Sequence, residues 1–184
     1  MIQVAIMGYG VVGSGVAEIL LTHSESLKKR AQEEMHIKYI LDIRDFPDSP
    51  LYDRFTKNFD DICNDEEVKV VVETMGGLHP AFDFVKRCLE KGKSVVTSNK
   101  ELVAAKGAQL LQIAKDKNAN FLFEASVGGG IPIIRPISQC LAANEVSQIA
   151  GILNGTTNFI LTQMIHEQMK FEQALALAQK LGYA

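Results

Sequence analysis

Cysteine is scarce in this 184-residue chain, occurring only at Cys63, Cys88 and Cys140. Their number is odd, their spacing is wide and no CxxC pair occurs. That excludes a disulfide framework and a cysteine zinc site, and it points to a reducing, cytoplasmic setting. Apolar runs are short too: none approaches the roughly 18–20 residues of a membrane span. The chain starts without a charged leader or a small-residue cleavage site. Excess charge is also missing, since a formal net charge of −3 gives no electrostatic reason to expect nucleic acid. His23, His36, His79 and His166 share no metal-like spacing, so surface or helix-start roles are expected for them. No internal repeat or low-complexity segment occurs. The chain as a whole, 47% hydrophobic and 22% charged, has the composition of a soluble globular protein. Its length suits one domain, or one domain with part of a second.

Strand and helix patterns alternate along the first two thirds. "IQVAIMG" reads as a buried strand closed by glycine. A helical pattern follows from about Val11, with Val12, Val16, Ile19 and Leu20 on one face, and the charged "SESLKKRAQEEM" extends it or forms a second, solvated helix. "IKYILDI" is a second strand, followed by the turn-rich "RDFPDSP" and a short helix around "FDDICNDEEV". "VKVVVET" is apolar through its middle, as a parallel strand buried on both faces should be. "HPAFDFVKRCLEKGK" reads as a helix with Pro80 in its first turn and Gly92 at its end. Then come a strand in "SVVTSN", a helix in "KELVAAKGAQLLQIAKDKN" and a strand in "ANFLFEAS". Such alternation predicts an α/β fold, a Rossmann-like doubly wound parallel sheet with helices on both faces.

Beyond "EASVGGGIP" the style changes. "IIRPISQCLAAN" looks helical, with Cys140 as a core thiol, and "EVSQIAGILNG" looks like a strand ending in a turn. "TTNFILTQMIHEQM" and "FEQALALAQKLG" read as amphipathic helices. The expected division is therefore residues 1–128 as a nucleotide-binding domain and 129–184 as the incomplete beginning of an α+β substrate domain, thin for a core of its own.

Four glycines crowd the first turn of "MIQVAIMGYGVVGSGVAEIL". Gly8, Gly10 and Gly13 form G-x-G-x-x-G between a strand and a helix. In that fingerprint the first glycine permits the tight turn, the second lets backbone approach a pyrophosphate, and the third lets helix pack on strand. The N–H groups opening the helix then face the phosphates. Gly8, Tyr9, Gly10, Val11, Val12 and Gly13 are thus candidate cofactor contacts, while Gly15 serves packing. Adenosine-ribose selectivity should lie in "LDIRD". Asp42 would accept from ribose hydroxyls and favour NAD, and Arg44 would pair with a 2′-phosphate and favour NADP. A local ion pair between two solvated turn residues is the alternative.

"VVETMGG", "VVTSNKELVA", "EASVGGGIPII" and "GILNGTTNFIL", in this order, together with "ALALAQKLGYA", resemble homoserine dehydrogenase, and the similarity runs from Met1 to Ala184. The resemblance implies NAD(P)H-dependent interconversion of L-homoserine and L-aspartate 4-semialdehyde, in threonine and methionine biosynthesis. It places Thr74, Met75 and Gly76 along the cofactor, and Ser98 and Lys100 where cofactor and substrate meet. A lysine at a strand's carboxyl end can hold a carboxylate or polarise an oxygen, although a solvated surface role is the common one for lysine. Backbone carbonyls of Glu124, Val127, Gly129 and Ile131 would hold a monovalent cation such as Na+, or the same loop is a hinge between domains. Gly155, Thr156 and Tyr183 match substrate positions, and Thr156 or Thr157 would cap a helix.

Reduction of an aldehyde also needs a positioned acid. In the family that acid is a lysine downstream of "GYA", accompanied by acidic residues that orient the substrate, so the catalytic residue is expected beyond Ala184. The chain then reads as a fragment that binds cofactor and turns over homoserine poorly. The implied partners are a small-molecule substrate and, for the full-length enzyme, a second copy in a homodimer; nucleic acid and membrane are not expected. Two other readings stand beside this one. Aspartate-semialdehyde dehydrogenase needs an activated cysteine that is not evident here, and a non-catalytic dinucleotide-binding module needs only the glycine turn.

Overall fold

The computed structural model describes residues 1–184, which divide into two compact units, Met1–Pro136 and Ile137–Ala184. No helix is long and apolar enough to cross a membrane.

The first unit follows the alternation read from the sequence. β1 (Ile2–Met7) leads into α1 (Val11–Thr22) and α2 (Ser24–Ala31), then β2 (Met35–Leu41), β3 (Phe55–Thr56) and α3 (Phe59–Cys63). β4 (Val68–Glu73), α4 (Ala81–Glu90), β5 (Ser94–Thr97), α5 (Lys100–Asp116) and β6 (Phe121–Leu122) complete it. The strands form one parallel sheet in the order β3-β2-β1-β4-β5-β6. The chain winds outward from β1 on one side and then returns to start again at β4. That reversal leaves a crevice beyond the carboxyl ends of β1 and β4, the place where open α/β sheets bind ligands.

Successive side chains of a strand point to opposite faces, and β1 divides its residues accordingly. Val4 and Ile6 join Ala17, Leu20, Ile37 and Ile40 on one face. Ala5 and Met7 join Val71, Val85, Leu102 and Leu110 on the other. A sheet covered on both faces explains the near-continuous apolar reading of β1 and β4.

Several local expectations fail for physical reasons. α1 buries Gly13, Ala17 and Leu20, whereas Val12 and Ile19 are about half exposed (52% and 51%). Of the expected face, Leu20 is buried and Val16 packs against the core, so the contact face is only partly turned from it, toward Gly13 and Ala17. Gly15 has open space where a Cβ would be and is not a packing glycine. α4 begins at Ala81, with Pro80 just ahead of it, and Gly92 follows its end with φ +77°. Only Phe121–Leu122 of "ANFLFEAS" pairs as strand, because Glu124–Ser126 turns at once into a 3-10 helix.

Residues 129–136 belong to the first unit. The Glu124 carboxylate reaches forward to accept the amides of Ile133, Ile134 (2.8 Å) and Arg135 (2.8 Å). These amides hold its pKa below the ordinary value. A fixed anion gathering three N–H groups draws this stretch back onto the end of the sheet.

In the second unit, α6 (Gly155–His166) and α7 (Phe171–Lys180) pack on each other around Ile160, Ala174 and Ala178. Asn154 caps α6, its side chain accepting from Thr157 N–H at 2.9 Å, so neither Thr156 nor Thr157 is the cap. The strand expected in "EVSQIAGILNG" does not form, whereas "IIRPISQCLAAN" is helical as expected over residues 134–140, with Pro136–Cys140 a π-helix; Cys140 is exposed and not a core thiol. Cys63 and Cys88 are buried, and burial raises the Cys88 thiol pKa to about 12, so it is an inert core residue.

Candidate functional site

The crevice at the strand reversal is a cleft of about 440 Å³, lined on its glycine side by Gly8 and Gly10. Asp42, Arg44 and Lys57 line the side next to β2, and Thr74, Met75 and Gly76 line the side next to β4. The structure therefore gathers seven of the expected cofactor residues around one space. Lys57 is an addition; it sits in a polar stretch with no motif to single it out.

Each glycine of the turn has a separate reason. Gly8 has φ +97°, in the region L side chains avoid, and a Cβ there would lie 3.0 Å from the Thr74 carbonyl. At Gly13 a Cβ would fall 1.9 Å from the Gly8 oxygen, so only glycine lets α1 come this close. At Gly10 a Cβ would meet nothing within 4 Å. That unfilled volume beside the start of α1 is what close approach of a phosphate needs. Gly10 offers no side-chain cap and the first turn of α1 holds no acid, so the opening amides are left for an anion. Val11 (92% exposed) and Val12 flank this opening.

The turn is braced from both neighbouring strands. Gly8 N–H donates to Leu41 O at 2.8 Å, and the Thr74 hydroxyl donates to Gly8 O at 2.9 Å. Tyr9 points away from the cleft into an aromatic group, packing edge-on against Phe46 and Phe55. Its N–H donates to Asp42 Oδ2 at 2.7 Å.

Asp42 and Arg44 form the expected pair, but Asp42 is not a solvated turn residue. Its side chain is 6% exposed, and it accepts from Tyr9 N–H, from Arg44 N–H (2.9 Å) and from the Arg44 guanidinium through Nε and Nη2 (3.0 Å each). The guanidinium contact, reinforced by the two amides, lowers the Asp42 pKa to about 2. Four donors on two oxygens leave little acceptor capacity for a ribose. Arg44 lies over the Phe46 ring at 5.0 Å, and Lys57 pairs with Asp45 at 2.7 Å, so two cations border this end of the cleft.

Ser98 and Lys100 lie at the turn from β5 into α5, outside the cleft lining; Ser98 N–H approaches Glu73 O at 3.4 Å, and Lys100 is exposed as the first residue of α5. In the glycine loop the Glu124 carbonyl accepts from the amides of Val127 and Gly128, both at 3.2 Å. Val127 is exposed, the Ile131 carbonyl sits where a Cβ on Gly128 would fall, and Gly129 is open. No group of three or more His, Cys, Asp or Glu side chains is placed to hold a metal ion. In the second unit, the Thr156 hydroxyl donates to the Tyr183 carbonyl, and the Tyr183 ring stacks on Phe159 at 4.6 Å. Gly155 opens α6 above the Asn154 cap.

Fold, strand order and glycine turn together define a dinucleotide-binding protein of the Rossmann type. A family model described as the NAD binding domain of homoserine dehydrogenase matches residues 8–124, and the homoserine dehydrogenase model itself matches residues 132–184. The chain belongs to the homoserine dehydrogenase family. A homoserine dehydrogenase of Bacillus subtilis is 39% identical over the whole chain, which covers 43% of that relative. Among solved structures, a homoserine dehydrogenase from Thiobacillus denitrificans superposes with a TM-score of 0.90 at 39% identity, over all of this chain and 43% of that one. A hyperthermophilic archaeal homoserine dehydrogenase in complex with NADPH gives 0.85 at 27% identity, over 99% of this chain and 61% of that one. The chain thus spans under half the length of the curated relatives it matches.

Proposed function

We propose that this chain supplies the cofactor-binding part of an NAD(P)H-dependent homoserine dehydrogenase, which interconverts L-homoserine and L-aspartate 4-semialdehyde in the cytoplasm, in threonine and methionine biosynthesis. The observation that carries the proposal is the cleft itself. Open space where a Cβ on Gly10 would stand, open amides at the start of α1 and a turn from β4 on the far wall meet at the sheet's reversal. Bound there, a nicotinamide cofactor would supply the hydride. Gly8, Gly10 and α1 would hold its diphosphate, and Thr74, Met75 and Gly76 would flank its nicotinamide half. Lys100, Gly155, Thr156 and Tyr183 are assigned to the substrate, and the Glu124–Ile131 loop to a monovalent cation. Assembly of the full-length enzyme as a homodimer belongs to the same proposal.

The ribose end favours NADPH. Asp42 is already engaged by Arg44 and Tyr9, whereas Arg44 and Lys57 bring positive charge to the cleft wall, as a 2′-phosphate requires. Titration of the chain with NADPH and NADH, followed by nicotinamide fluorescence, tests this. Tighter binding of NADPH is expected, and Arg44→Ala should weaken it about tenfold, or ~1.4 kcal/mol, while changing NADH little. Failure of both cofactors to bind would remove the proposal. Equal loss for both in Arg44→Ala would remove the NADPH preference.

A further inference from the structure

Glu73 is the last residue of β4 and is wholly buried. A carboxylate in such a place needs hydrogen bonds to replace the water it has lost, and it has three. Oε1 accepts from the amides of Met75 (2.8 Å) and Gly76 (3.3 Å), and Oε2 accepts from the Thr97 hydroxyl at 2.6 Å. Thr97 is itself buried, and its oxygen accepts from Asn99 N–H at 2.9 Å. The hydroxyl's single proton therefore goes to Glu73, which fixes the direction of the chain of contacts. Asn99, also buried, accepts from Leu102 N–H at 3.1 Å to cap α5 and donates through Nδ2 to the Gly77 carbonyl at 2.6 Å.

These contacts close a circuit. It leaves the turn after β4 at Glu73, crosses to the turn after β5 through Thr97 and Asn99, and returns at Gly77. Met75 and Gly76, which line the cleft, lie inside it, and Lys100 follows directly from Asn99. Gly76 and Gly77 both have positive φ (+78° and +70°), so this turn has many backbone states to choose from when it is not tied. None of Glu73, Thr97 and Asn99 lines the cleft.

We propose that Glu73 is a positioning residue: through Thr97 and Asn99 it holds the Met75–Gly76 backbone in the conformation that completes the cofactor cleft. The inference rests on reading the cleft as a nicotinamide cofactor site. A turn released into several conformations binds less tightly in proportion to the fraction that remains competent. The buried acceptor and amide left unpaired add to that penalty on the competent form.

The test compares Thr97→Val, which keeps the shape and removes the hydroxyl, with Thr97→Ser, which keeps the hydroxyl. Leu110→Ala, in the core of α5, reports what lost stability alone does to binding. Each variant is titrated with NADPH by fluorescence. Thr97→Val is expected to bind about tenfold more weakly than the unsubstituted chain. Thr97→Ser should stay within about twofold, and Leu110→Ala should be unchanged in affinity though less stable. Should Thr97→Val not fold, Thr97→Ala reads the same contact, since it too removes the hydroxyl that donates to Glu73; the same loss is expected. Unchanged affinity in Thr97→Val, or in Thr97→Ala where that replaces it, overturns the proposal, as does equal weakening in Thr97→Ser or Leu110→Ala. If the unsubstituted chain binds neither NADPH nor NADH, the cofactor reading of the cleft falls first and takes this inference with it.

Discussion

Met1–Pro136 and Ile137–Ala184 contain similar kinds of residue but use them differently. In the first unit the sheet is covered on both faces, and Ala5, Ile6, Met7, Ile40, Val71 and Leu110 have no exposure at all. In the second, only Ile160, Ala174 and Ala178 are buried, while Ile149, Ile152, Leu153, Ile165 and Leu181 stay exposed. Helices form in both, because their backbone bonds are internal and their ends can be capped locally. Asn154 and Asn99 each accept an amide with their side chains, and Gln173 accepts from Lys170 N–H at 3.3 Å ahead of α7. Strands form only in the first, because a strand's backbone is satisfied by a neighbour. The lesson is that a helix satisfies its backbone within itself, whereas a sheet needs a core to assemble on.

The largest expected effect probes the turn on which the first unit's site is built. Gly13→Ala would force a Cβ against the Gly8 carbonyl, so a loss of about 3 kcal/mol of stability and of cofactor binding is expected. Gly15→Ala, two residues on with open space around it, should change stability by less than about 1 kcal/mol, in the stabilising direction. Denaturant unfolding followed by circular dichroism separates them, and similar losses in both would contradict the packing described. Next in size is Ile160→Ala, expected to cost the second unit about 2 kcal/mol. Hydrogen exchange should then show faster exchange in α6 and α7, with β1 and β4 amides as protected as before. Equal loss of protection in the sheet would mean that the contrast between the units has no energetic counterpart.

The smallest effect concerns acid. The Asp42 pKa lies at about 2 in the folded chain against an ordinary value of 3.8, chiefly through Arg44. The unfolded chain therefore takes up the proton first as pH falls. The stabilisation is complete above about pH 4 and is lost as pH drops toward about 2. Arg44 is 58% exposed, so solvent screens the pair and a contribution of about 1 kcal/mol is expected. Asp42→Asn should be less stable by that amount at neutral pH and equal to the unsubstituted chain near pH 2, as read from urea midpoints. A gap that persists into acid would assign the effect to lost packing instead.

These contrasts also mark what a reader of the sequence alone can find. β1 and β4 are legible because burial on both faces writes apolar runs, and the glycine turn is legible because sterics allow no other residue at Gly8 and Gly13. β3 is not, since Phe55–Thr56 becomes a strand only by pairing with Ile40 and Leu41. The apolar residues of "EVSQIAGILNG" promise a strand and gain none for want of a partner. The Glu73–Thr97–Asn99 circuit is silent too: three polar residues at strand ends look like turn residues until the fold brings them together. Lys57 is hidden for the same reason, as only the cleft gives its charge a direction.

β3 and β6, the outermost strands, have two residues each. A further strand laid along β3 or β6 themselves would find barely a pair of free peptide groups to zip onto, so these two short strands are poor templates for strand addition.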